Sequence, residues 1–464
     1  MQNFGSDRRQ PARAGGLFVG LLALVAVLGM QGCATHSEGF RSIEQQAAIR
    51  NIPGAIKALD QFHATDLAKT DETLKYLNRG MLLRLQADYS KSNTEFDTAK
   101  SLIDKLEAIS VAEQAGSALI NEGVKAYTGD ANEQLLLYGF KALNYLQLND
   151  FDAAAVEARQ FDIKQRLITE KYPEAKFISG AFVRYLNGMI YEAVGEPDSA
   201  RIEFTKALEG YQSQSKFTNC GAPSALRADL ARVEGKTPSR SKSSKRSRSK
   251  ADSTPDATAA LAEANGEVVF FLHNGLGPSL AENLIQVPNP VPGQGTSLLR
   301  IALPKFVERP LPVMRFELSS GGQSTNSEVA EDVNGLAKKS LEARLPGIQT
   351  RALVRLVAKN KLTADAKKRS EQAAKQNTGD LASMLRMSMG TIMDITATLT
   401  ERADTRSWSL LPGNIQLARL ALPPGTHDLK VSYYGVNGNL LSTREFKGVR
   451  VDAARKTFLS DYYL

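Results

Sequence analysis

Two hydrophobic patterns run along the chain, separated by a stretch that has none. From residue 40 to about 231, Pro and Gly are sparse, and Ala, Leu and Tyr recur at helical spacing. Tyr76-Leu77-Asn78-Arg79-Gly80-Met81 resembles Tyr185-Leu186-Asn187-Gly188-Met189. Phe96 and Ala99 follow the first; Ala200, Phe204 and Ala207 follow the second. A third copy runs through Tyr138, Ala142, Tyr145, Asn149-Asp150-Phe151, Ala154, Ala158 and Phe161. Small residues where paired helices cross, with aromatics wedged between, resemble tetratricopeptide repeats. The copies are unevenly spaced, so the repeats are degenerate, and residues 53–59 form part of an earlier, decayed unit. A stack of helix pairs offers a concave face that usually binds a peptide or protein.

The pattern changes at residue 266. Val268-Val269-Phe270-Phe271-Leu272 before Asn274-Gly275 predicts a buried strand ending in a turn. Further strands are expected at 299–302, 313–318, 416–422, 429–434, 446–451 and 457–461, with a proline-glycine turn at 423–425. Between them lie amphipathic blocks at 328–343 and 348–374, the second placing Arg351, Arg355 and Lys359 in one solvated row. A third helix at 381–400 carries Met384, Met387, Met389 and Met393. Closely spaced thioethers could hold Cu(I), but no Cys or His completes a site, and core filling is the simpler account. The fold class expected is an all-α tetratricopeptide-like array over 40–231, followed by an α+β domain over 266–464 with an antiparallel sheet. That domain has a helical insertion at about 328–402 and a β-rich C-terminus.

The stretch between, 232–265, has no periodicity and opens with a basic Ser-rich tract, so a disordered linker is expected. The chain of 464 residues has a formal net charge of +8. The tract at 236–250, which includes Lys242, Lys245, Arg246, Arg248 and Lys250, contains seven basic residues and no acid. Basicity is therefore concentrated in one linker, and a nucleic-acid partner is not expected. The tract is either a solvated spacer or a contact for anionic lipid or peptidoglycan.

Residues 8–13 are basic and residues 15–30 are uncharged, a run too short to span a membrane but fitting a secretory signal over 1–32. The run closes on Gly32-Cys33, which resembles the lipobox of bacterial lipoproteins, although Met30 and Gln31 depart from its usual residues. The resemblance implies cleavage between Gly32 and Cys33, a lipid on Cys33 and a short tether over 33–39. Ala34 implies delivery to the outer membrane, facing the periplasm. Cys220, the second of two cysteines, is then left without a partner and is expected to be buried.

Ala403-Asp404-Thr405-Arg406-Ser407-Trp408 follows the helical block. Asp404, Arg406 and the only Trp alternate, so on an extended segment they share one face. The trio either forms a ligand-binding spot or fixes a loop through an ion pair and an indole lid, and the second is the expectation. With the repeats and Leu422-Pro423-Pro424-Gly425-Thr426-His427, this element makes the chain similar to a family of bacterial envelope lipoproteins. Those proteins join a tetratricopeptide-like half to a C-terminal domain carrying Ala-Asp-Thr-Arg-Ser-Trp, and the resemblance implies no particular activity.

Catalytic motifs are missing. His36, His63, His273 and His427 lack metal-ligand spacing, and no Cys-x-x-Cys, Gly-x-Ser-x-Gly or Gly-x-Gly-x-x-Gly occurs. No cofactor, metal or catalytic residue is expected. The anchor and repeats point to a non-catalytic scaffold or adaptor in envelope assembly, binding protein through its helices and membrane through its lipid. The alternative is a peptidoglycan- or polysaccharide-binding envelope protein that could hydrolyse its ligand with paired carboxylates.

Overall fold

A computed structural model describes residues 36–63, 71–112, 125–172, 177–235, 265–288, 298–376 and 402–464. Gly32, Cys33, the signal segment, the tract holding Lys242, Lys245, Arg246, Arg248 and Lys250, and the methionine-bearing stretch 381–400 lie outside the described residues. The chain is a helical region followed by an α+β region.

Among the described residues, eight helices form four pairs: α1 (His36–Ala48) with α2 (Ile52–His63), α3 (Glu72–Leu85) with α4 (Tyr89–Ala112), α5 (Ala131–Gln147) with α6 (Phe151–Lys171), and α7 (Ala181–Ala193) with α8 (Pro197–Gln214). Helix α1 thus begins inside the residues read as a tether. One turn closes every pair. Arg50, Ala87, Asn149 and Gly195 each take a left-handed φ of 58–79°. Each donates its N–H three residues back, and the next residue donates five back, to Gln46, Leu83, Tyr145 and Tyr191 respectively. This is a Schellman ending, which satisfies carbonyls a helix end leaves open. In three pairs the residue after the left-handed position also caps the next helix: the side chains of Asn51, Asp88 and Asp150 accept from the N–H of Gly54, Lys91 and Ala153. Within pairs, Gly80 lies under Phe96 and Gly188 under Phe204, so close that a Cβ would strike the ring. A short helix α9 (Leu226–Val233) ends the region.

Ten strands follow among the described residues, β1 (Gly266–Asn274), β2 (Ser279–Pro288), β3 (Leu298–Val307), β4 (Arg315–Ser320), β5 (Gln323–Asn326), β6 (Glu328–Glu331), β7 (Asn414–Leu422), β8 (Gly425–Tyr434), β9 (Leu440–Val451) and β10 (Lys456–Tyr463). They form one sheet ordered β10-β1-β7-β6, a second ordered β5-β4-β8-β9, and the hairpin β2–β3. The first sheet is mixed, not antiparallel as expected, because β10 runs parallel to β1. The chain crosses from β9 in the other sheet to reach that edge, so no hairpin dictates its direction.

The expected helical insertion is corrected at both ends of its first part. Glu328–Glu331 is a strand paired with β7. Beyond it, α10 (Val333–Gln376) is a single helix that runs through Pro346. A proline forfeits one helical hydrogen bond. Here Leu341, Leu345, Ile348, Ala352 and Leu356 nevertheless make an unbroken stripe against Leu280, Ile285, Ile301, Leu303 and Phe306 of β2–β3. Arg355, expected in an exposed row, is buried, while Arg351 is exposed.

Strand β1 explains why its apolar run is continuous. Val268, Phe270 and Leu272 face the second sheet in a β-sandwich core with Phe316, Leu318, Leu420, Val431 and Tyr433. Val269 and Phe271 face the opposite way, into a core shared with the helices. Phe271 meets Phe182 of α7 edge-on, with ring centres 5.9 Å apart. The two regions are therefore fused through a common apolar core.

Strand β10 crosses the C-terminal ends of the four first helices at alternate residues. Lys456 pairs with Glu192 of α7 at 2.5 Å. The Phe458 carbonyl accepts from Gln147 of α5 at 3.1 Å, and Ser460 Oγ accepts from Arg84 of α3 at 3.0 Å. Arg50, in the turn after α1, donates to the Tyr462 carbonyl at 2.8 Å and lies over its ring. Donors from the helical region thus take two backbone carbonyls, of Phe458 and Tyr462, on an edge strand that would otherwise be open to further strand pairing.

Candidate functional site

At the opposite ends of the first helices, residues 402–411 cross the array, and the notable side chain is Arg406. Its Nη1 donates to Asp71, just before α3, at 2.7 Å and to the Lys125 carbonyl at 2.8 Å. Its Nε and Nη2 donate to Asp404 at 2.8 and 2.7 Å. Burial works against this guanidinium's charge, but the hydrogen bond and charge of Asp404, with the charge of Asp71, outweigh it and raise its pKa.

Beside Arg406, Asp130 and Glu133 form a capping box at the start of α5. Glu133 also accepts from the backbone N–H of Trp408 at 2.8 Å and from the Tyr127 hydroxyl. Burial, and then the charge of Asp130, raise the Glu133 carboxyl above its usual range. Asp130 in turn accepts from Ser340 and Arg344 of α10 at 2.8 and 3.0 Å. Trp408 is fully buried, edge-on to Phe96 and Phe140 at 5.8 and 6.0 Å.

Asp404 and Arg406 pair with each other, the Arg406 N–H also bonding back to Asp404, and Trp408 is buried two residues on, within a packed junction of four segments. The Arg406–Asp404 ion pair is present and is extended to Asp71 of the helical region, while the Trp408 ring packs on Phe96 and Phe140 and the aromatic ring beside the Arg406 guanidinium is that of Tyr127. Sequence reading misses Asp71, Tyr127, Asp130, Glu133 and Arg344. Only the Asp-x-x-Glu capping spacing at 130–133 was available as a local signal.

Two further polar contacts join helices and sheet. Arg419 of β7 pairs with Asp229 of α9 and with Glu267 of β1, and donates to the Tyr185 hydroxyl at 2.7 Å. Burial would raise the Asp229 carboxyl, yet the hydrogen bond and charge of Arg419 hold it low. At the β6 end, Gln214 of α8 donates to buried Glu331 at 3.2 Å, and Tyr211 donates to the Ala330 carbonyl at 2.7 Å. Burial, reinforced by the charge of Asp332, pushes the Glu331 carboxyl up to about 8. Cys220 is buried here as expected, and burial raises its thiol pKa.

The histidines show no shared chemistry among the described residues. His273 is buried against Phe140, and burial together with the Arg84 charge lowers its pKa. His427 contacts the Pro423 carbonyl at 2.8 Å. No cluster of three or more His, Cys, Asp or Glu suited to a metal occurs among the described residues.

The face of the array built by its first helices is covered. Phe140 packs on Trp408, Phe182 on Phe271, and Asn78 accepts from the Leu410 N–H at 3.4 Å. This face of the first helices is thus covered by the chain's own sheet and crossing segment. On the outer side, an open groove of about 490 Å³ lies between α6 and α8, lined by Asp162, Ile163, Arg166, Glu170, Arg184 and Lys206. Near it, Val156, Ile163 and Leu167 of α6 and Ile202 of α8 are 45%, 52%, 50% and 45% exposed. No protein-family model, curated protein or solved structure matches the chain.

Proposed function

We propose that the protein is a lipid-anchored scaffold of the cell envelope, held at the outer membrane through Cys33, facing the periplasm and binding protein partners without catalysis. The four identical turns, and the glycine under an aromatic in two of the pairs, support a tetratricopeptide-like array. The occupied first-helix face carries the argument about where a partner sits. Since the sheet fills that face, partner contact passes to the outer faces of the second helices. The apolar residues Val156, Ile163, Leu167 and Ile202 there are the kind of surface on which an interface core is built.

The test is affinity capture from crosslinked envelopes with the parent chain and with Ile163→Asp/Leu167→Asp, both checked for folding by circular dichroism. A stoichiometric protein partner, lost in the variant, is expected. A partner kept by the variant, or soluble fragments released from peptidoglycan by the purified chain, would overturn the proposal. Anchoring is tested by alkyne-palmitate labelling: the parent should label, and Cys33→Ala should not.

A further inference from the structure

Helix α10 is the most unevenly charged element of the described fold. It contains eleven Lys and Arg against three Asp and Glu, whereas the chain outside 1–32, 236–250 and α10 is net negative. One side of α10 is used by the hairpin β2–β3. Another side leaves Leu353, Val354 and Val357 at 38%, 48% and 37% exposure, next to exposed Arg351 and followed by exposed Lys361 and Lys368 with one exposed acid, Asp365, between them. Basic residues flanking exposed aliphatic ones make an interfacial helix face: cations meet lipid phosphates while aliphatic groups enter between headgroups.

Position favours the same partner. The C-terminal ends of α1, α3, α5 and α7 line up along β10, so their N-terminal ends share the opposite edge. That edge includes the start of α1 at His36, three residues after Cys33. Helix α10 passes the same edge where Ser340 and Arg344 hold Asp130, and it continues for about 48 Å to Gln376 at 1.5 Å per residue. The basic arm therefore leaves from the edge that would carry the lipid.

We propose that the exposed face of α10 beyond Arg351 binds the surface of an anionic lipid bilayer, holding the anchored body in a fixed orientation. Its placement on a membrane rests on the anchoring proposed above, but its chemistry can be tested without the anchor. The probe is the chain from Ala34, which keeps every described element, with an environment-sensitive dye on Val354→Cys. Cys220 is buried, so the dye goes to the new thiol. The titrants are phosphatidylethanolamine vesicles with and without phosphatidylglycerol.

The dye should shift to the blue with the anionic vesicles alone, and added salt should reverse the shift. Lys361→Gln/Lys368→Gln should weaken binding on the order of 30-fold, from the contribution of each basic residue at such a surface. Neutralising the seven basic residues of 236–250 should leave the dye response in place. Three results would overturn the proposal: blue emission before vesicles are added, no shift with anionic vesicles, or affinity that follows the tract and ignores the arm. Vesicle binding with no palmitate on Cys33 would instead overturn the anchoring and leave the arm's chemistry standing.

Discussion

The interior of the helical array and its seam with the sheet are held by different kinds of contact. Inside the array one solution is repeated: a Schellman turn closes each pair, and a glycine lies under an aromatic in two of them. At the seam, apart from the alternate contacts along β10, the buried polar groups do not repeat. Arg406, Arg419, Glu331 and Trp408 each have their own partners, and most are buried with a charge or polar group to satisfy. A repeated contact spreads its energy over several copies. A unique buried ion pair concentrates it, and removing one partner strands the other.

The largest effect should therefore come from the seam. Arg406→Leu leaves Asp71 buried without this partner and should cost about 3–5 kcal/mol in a urea titration. Adding Asp71→Asn should restore part of that loss. A cost below about 1 kcal/mol would mean that the seam is no more sensitive than a surface pair.

The second effect is pH dependence from Glu331. Its carboxyl is raised in the folded state to about 8, so the native state holds a proton that the unfolded chain releases near the ordinary value of 4.5. Stability from this group is fully present below about 4.5 and is lost as pH rises toward 8, on the order of a few kcal/mol across the window. Glu331→Gln should flatten that slope, as measured by denaturant midpoints at pH 5 and pH 8.

Within the array the effects should be smaller. Gly188→Ala pushes a methyl into the Phe204 ring while gaining helix propensity, for a net loss of about 1 kcal/mol. Ala87→Gly should go the other way and stabilise by about 0.5–1 kcal/mol, because Ala87 holds a φ of 63° that glycine adopts without strain. A destabilised Ala87→Gly would show that the turn contributes through its side chain.

The same contrast explains what was legible. The repeated half announces itself because Gly80 and Phe96, or Gly188 and Phe204, sit at one spacing along a short stretch of chain. Strand β1 is equally plain, since burial on both faces demands an unbroken apolar run. Strands β5 and β6, four residues each, lack the length to show a period. The run through Pro346 is hidden because a proline locally argues for a break, and only the hairpin packed on Leu345 and Ile348 argues against it. The seam is the least legible: Arg406 and Asp71 are 335 positions apart, and Arg419 and Asp229 are 190 apart. No local rule pairs such residues. The Asp404–Arg406–Trp408 alternation marks the segment but not the helices that complete the junction.

Strand β10 meets α7, α5, α3 and α1 at residues 456, 458, 460 and 462. A stack in which each helix pair touches only its neighbours can gain a pair without altering anything else. Here a ruler runs across the stack, and a fifth pair would have no mark to meet. Among the described residues each of the four pairs has its own residue on β10, and the strand ends at Tyr463, one residue past the last of them, so a longer stack would call for a longer strand.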